Sequence, residues 1–144
     1  MKPTPELVLN QAFAKIAMEM GPALPPGYGQ GSATTTAVLL LMVAQEFDRA
    51  ADLRAKENRV MRALFTDAVK GIDGELGAKL KAVVGVRDED LTVSGLDRVN
   101  GELKRLLIEL QTHAEQKGDR ALGLRILRFL SEAAAARQVH LPAM

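Results

Sequence analysis

The sequence predicts an all-α fold, a four- to five-helix up-down bundle with one very long helix, and three observations carry that prediction. Residues 33–70 run without a single Gly or Pro. Residues 96–113 repeat apolar side chains at alternating steps of three and four. Aromatic residues make up only 3% of a chain that is 47% hydrophobic, a composition of Ala and Leu that suits helix-on-helix packing better than the Val, Ile, Thr and aromatics that strands favour. At 144 residues the length fits one domain, expected over 1–144.

The first helix is expected over 6–20. Thr4 suits its N-cap, Pro5 its first turn, and Leu7, Val8, Ala12, Ile16 and Met20 follow helical spacing. Residues 21–31, with three Pro and four Gly, read as a loop. Ser32 or Thr34 then caps the long helix, over about 33–70. Its thirty-eight residues would extend roughly 57 Å at 1.5 Å per residue. A globule of this chain length is roughly 40 Å across, so such a helix either bends or projects and finds a partner. Its first half, through Val43, is apolar on nearly every side and is expected to be buried all round, inside a bundle or between subunits. Its second half shows one stripe, Leu53, Val60, Met61, Leu64, Phe65, Ala68 and Ile72, with the like-charged Asp48 and Asp52 four apart on the opposite side.

A short helix over 75–84 comes next; the alternative is two short strands at 83–86 and 91–93. Residues 94–97, Ser-Gly-Leu-Asp, read as a capping box with Asp in the place of Glu. Leu96, Val99, Leu103, Leu106, Leu110 and His113 then form an a/d seam over almost three heptads, the pattern of a coiled coil. Gly118 ends that helix and Asp119 caps the last one, lined by Leu122, Ile126, Leu127, Leu130 and Ala134. The tail 138–144 is expected to fray. A weak internal echo links 58–67 to 100–109: both read Asn, two residues, apolar, basic, any, Leu, apolar, any, acidic.

Several function classes are disfavoured. Nineteen basic and eighteen acidic residues give a net charge of +1, which offers no bulk attraction to nucleic acid or an anionic membrane. Residues 96–144 hold eight Lys/Arg, among them Arg105, Arg120, Arg125 and Arg128, against six Asp/Glu, a solvated charged face without the aromatics that stack bases. The absence of Cys removes disulfides, thiolate chemistry and Cys-ligated metals. The longest apolar run, 37–44, is too short for a span of about twenty residues. No secretory signal is read at the start, and a cytoplasmic setting is expected.

No catalytic signature emerges. His113 and His140 are the only histidines. Neither follows a Glu at the Glu-x-x-His spacing of di-iron bundles, and no Gly-x-Ser-x-Gly elbow surrounds a serine. No metal or cofactor is expected. Glu109 lies four residues before His113 and is expected to hydrogen-bond or stack with it, while His140 is expected in solvent. Paired carboxylates such as Asp88 and Asp90 read as loop residues.

Two functions stand on these observations. The first is a protein-interaction or assembly module. It self-associates, as a homodimer, through apolar seams built from Leu96, Val99, Leu103, Leu106, Leu110, His113, Leu64 and Phe65, or presents them to another helical protein. The alternative is a small-molecule-binding bundle or enzyme that seats a phosphate or carboxylate at 27–36. There Gly29 and Gly31 allow close approach, and Ser32 and Thr34 add hydroxyls at a helix start. That stretch lacks a preceding strand, a Gly-Lys-Ser/Thr triplet, and any Lys or Arg between Lys15 and Arg49.

Overall fold

The computed structural model describes residues 2–140, and among them every regular element is helical. There are six helices: α1 (Pro5–Lys15), α2 (Tyr28–Phe47), α3 (Ala50–Ala68), α4 (Gly74–Val83), α5 (Val93–Lys117) and α6 (Arg120–Ala136). Within the 1–144 expected as one domain, the packing divides into two compact units, residues 51–138 and residues 2–50 with 139–140.

The expected single long helix is corrected. Helix α2 stops at Phe47, Asp48 and Arg49 form a turn, and α3 resumes at Ala50. Across the break the Arg49 N–H bonds to the Glu46 carbonyl at 3.2 Å, three residues back rather than four. Asp48 is a weak helix former, and a continuous helix would stack its charge on Asp52. The other end moves too: α2 begins at Tyr28, not near residue 33, with Gly27 as N-cap at φ +141°. Ser32 and Thr34 are therefore interior residues rather than caps, and the loop of 21–31 shrinks to residues 24–27.

In the N-terminal unit, α1 packs along α2. Thr4 caps α1 as expected, accepting from the Leu7 N–H at 3.4 Å. Beyond Lys15 the coil widens to a π turn, Ile16–Met20, before a last short turn, Gly21–Ala23. Pro22 supplies the reason: it has no N–H for the Met18 carbonyl and its ring crowds that oxygen, and the wider turn lets Gly21 bond to Ile16 instead. Only Ala37, Leu41 and Ala44 of α2 are buried, all on one face. Within the chain this segment is therefore not buried all round. Gln45 clasps the backbone of His140, whose N–H donates at 2.9 Å while its carbonyl accepts at 2.6 Å. Residues 139–140 are thus held, the His140 side chain stays exposed, and the rest of the expected frayed tail lies outside the described residues.

Residues 51–138 form the up-down bundle. Arg54 meets Asp97 and Glu57 meets Asn100, so α3 and α5 run in the same sense. Arg125 meets Asp67 and Arg137 meets Glu57, so α6 runs opposite to α3. Met61, Leu64, Phe65, Ile72, Leu80, Leu103, Leu106, Leu107, Leu110, Leu122, Ile126 and Phe129 fill one core. The α5 seam is thus internal: Leu96, Leu103, Leu106 and Leu110 are buried, with Val99 and His113 half-buried. On α6 the inward row is Leu122, Ile126 and Phe129, while Leu127 and Leu130, expected in that row, are 55% and 38% exposed.

Local chemistry sets the ends. Gly118 closes α5 at φ +67°, and Asp119 caps α6 by accepting from the Leu122 N–H at 3.0 Å. The start of α5 differs from the expected box: Thr92, not Ser94, is the N-cap, accepting from the Gly95 N–H at 3.1 Å. The 85–92 connection is neither strand nor helix. There Asp90 holds the Thr92 N–H and hydroxyl and lies over Gly95, where an added Cβ would sit 2.3 Å from the carboxylate.

Replacing Leu106, 8% exposed in this core, by Ala is expected to lower stability by about 2–5 kcal/mol. Urea denaturation measures it; a loss under about 1 kcal/mol contradicts the core assignment.

Candidate functional site

The four Gly/Ser/Thr residues of the ligand alternative are parted by the helix they lie in. Gly29 and Ser32 border an apolar groove of about 540 Å³ with Ile16, Met20, Ala23, Leu24, Ala33 and Thr36; Gly31 and Thr34 are not among its lining residues. The hydroxyls of Thr34, Thr35 and Thr36 each donate to the carbonyl four residues back, Gln30, Gly31 and Ser32, at 2.9–3.0 Å. The free N–H groups of the helix start lie near Tyr28, ahead of Ser32.

No hydrogen bond joins His113 to Glu109. Glu109 instead accepts from Lys79 of α4 at 2.9 Å. His113 borders an open cleft of about 590 Å³ with Lys117, Arg125, Asp67, Asp73 and Asp119. The cleft mixes both signs of charge, and Arg125 is already committed to Asp67 at 2.6 Å.

The densest polar cluster is one that sequence reasoning passed over. Glu57 and Asn58 of α3 and Asn100 of α5 are 6%, 0% and 3% exposed. The Asn100 amide donates to Glu57 Oε2 and to Asn58 Oδ1, both at 3.0 Å. Arg137 donates to Glu57 Oε1 at 2.7 Å, and Lys104 lies 3.2 Å from Oε2. Asn58 gives its own amide protons to Asp88 at 3.3 Å and to the Leu96 carbonyl at 3.4 Å. Arg62 grips the same Asp88 at 2.7 Å. Burial alone would raise the Glu57 pKa; the hydrogen bonds from Arg137, Asn100 and Lys104 outweigh it and hold the group below its ordinary range. The Arg62 hydrogen bond likewise lowers Asp88 against the effect of burial, with help from Asn58. Both carboxylates are held ionised by cationic and amide donors, and the cluster ties α3, α5, the end of α6 and the 85–92 connection together.

The echo at 58–67 and 100–109 pointed here. Asn58 and Asn100, its first residues, bond to each other. Met61 with Leu103, Leu64 with Leu106, and Phe65 with Leu107 share the core. The basic and acidic members all reach partners: Arg62 to Asp88, Lys104 to Glu57, Asp67 to Arg125, Glu109 to Lys79.

An uncovered apolar surface is the remaining feature. Leu39, Met42, Val43 and Phe47 on the outer side of α2 are 42–55% exposed, and Leu7, Val8, Met18, Met20, Leu24 and Tyr28 of the same unit are exposed as well. Soluble monomers rarely leave apolar patches of more than a few hundred Å² open. Among the described residues no helix is long and apolar enough to cross a membrane. Comparison with protein families, with curated proteins and with solved structures finds no match for this chain.

The Glu57 linkage has a sign. Its carboxyl holds a proton less tightly folded than unfolded, so its contribution is complete above about pH 4.5 and is lost as the pH falls through the folded value. Arg137→Ala is expected to cost about 1–3 kcal/mol at neutral pH. The difference from wild type is expected to shrink below about pH 4.5. Urea denaturation at both pH values reads it; an equal loss at both would mean that Arg137 acts through packing alone.

Proposed function

We propose that this chain is an interaction and assembly module that docks through its N-terminal helical unit. One observation carries the reading: α2 is apolar on two faces, and α1 covers only one of them. The Leu96–Leu110 seam, first in line from sequence, is occupied inside the bundle, which leaves the outer side of α2 as the surface that still gains by burial. Fully burying an exposed Leu, Val, Met or Phe side chain is worth about 1.5–3 kcal/mol, so finishing the burial of these half-exposed four gains roughly 1 kcal/mol each on either side of a contact, to be set against the cost of ordering two molecules.

Sedimentation across a hundredfold range of concentration tests it. The wild-type mass is expected to rise above 15.5 kDa. Leu39→Lys with Val43→Lys is expected to return it to that value, and Ile108→Lys, on the bundle exterior at 64% exposure, to leave it unchanged. A wild-type mass of 15.5 kDa throughout, or assembly abolished by Ile108→Lys alone, overturns the reading.

A further inference from the structure

We infer that the occupant of the outer α2 face is the same face of a second copy, with the two α2 helices packed antiparallel about a two-fold axis. The inference rests on the assembly reading above and names its partner and register.

Charge comes first. Residues 20–45 carry no charged side chain in a chain that is 26% charged. A partner bringing Lys, Arg, Asp or Glu against this face would bury an unpaired charge, at a cost of several kcal/mol. The partner surface must be charge-free over residues 28–45, and a second copy brings such a surface, with Glu46 as the one charged residue at each end of the seam. The threonine hydroxyls of α2 are already satisfied: Thr34, Thr35 and Thr36 donate to α2's own carbonyls, so covering these three strands no donor. A lipid surface is a poorer match. No Lys or Arg lies between Lys15 and Arg49 to hold anionic headgroups.

Shape sets the direction. Tyr28, Ser32, Thr35, Leu39, Met42 and Glu46 step by four and three along one side of α2, the seam along which two helices pack knobs into holes. The N-terminal half of that seam is small after Tyr28, and the C-terminal half is large. Antiparallel packing sets the a position of one helix against the d position of the other. Ser32 then faces Met42 of the second copy, Thr35 faces Leu39, and Tyr28, 94% exposed, lies level with Glu46. Small meets large at each central level. Parallel packing would pair Ser32 and Thr35 with themselves and leave gaps. This is an isologous contact, closed at two copies.

The chain has no Cys, so single thiols report the register directly. Thr35→Cys and Leu39→Cys, both at exposed positions, are prepared separately, one with a mass tag, checked by circular dichroism for wild-type helicity, mixed and mildly oxidised. The mixed 35-to-39 disulfide is expected to outnumber either same-position disulfide several-fold, because only that pair comes within Cα reach of bonding. Same-position disulfides in the majority overturn the register. A mass of twice 15.5 kDa without cross-linking overturns the α2 face while the assembly reading stands. A mass of 15.5 kDa throughout overturns both. A monomer that floats with neutral phosphatidylcholine vesicles identifies lipid as the occupant instead.

Discussion

A carboxylate taken out of water has to be met by charge and by hydrogen bonds, and the bundle is arranged around meeting that demand at Glu57. The ion would destabilise the fold by several kcal/mol if left alone. Its three partners come from two helices: Asn100 and Lys104 from α5, and Arg137 from the end of α6. Because Asn58 continues the network to Asp88, the 85–92 connection is tied to the same point. Leucines alone would let the helices slide by a turn at modest cost. The Asn58–Asn100 bond forbids it, since a shifted helix would leave a buried amide without a partner. Single buried polar pairs set register in coiled coils in this way.

What could be read from sequence followed from chemistry confined to a few residues. Gly118 and Asp119 announce a helix end and a helix start by conformation and capping alone, and the α5 seam is marked by four leucines and Val99 at steps of three and four. The break at Asp48 was harder. The lack of Gly and Pro over 33–70 says where a helix is permitted, not where it stops, and the Asp48/Asp52 repulsion was the only local sign. Gly29 and Gly31 misled in the opposite sense: near a helix start, glycine is tolerated at about 1 kcal/mol or less. On α6 two apolar rows compete, one through Ile126 and Phe129 and the other through Leu127 and Leu130. Only packing chooses between them. Glu57 was hidden because it lies among Arg54, Lys56 and Arg59, in what reads as a solvated face. The echo of Asn58 in Asn100 was the one available signal, and its meaning required knowing that the two helices meet.

The two units treat apolar residues differently. The bundle, residues 51–138, spends its leucines on its own core and leaves scattered ones outside, as soluble proteins commonly do. In the N-terminal unit a two-helix packing has only one interior face, while α2 carries apolar residues around most of its circumference. The excess has no use in the folding of that unit by itself.

The close approach of Asp90 to Gly95 has a consequence for the evolution of this chain. Any side chain at 95 would collide with a carboxylate that the Thr92 amide and hydroxyl hold in place. A side chain at 95 is accepted only if that acid swings away or is lost, and either change weakens the restraint on the entry to α5. Position 90, by contrast, is free to vary while 95 stays glycine, so the dependence between the two runs in one direction.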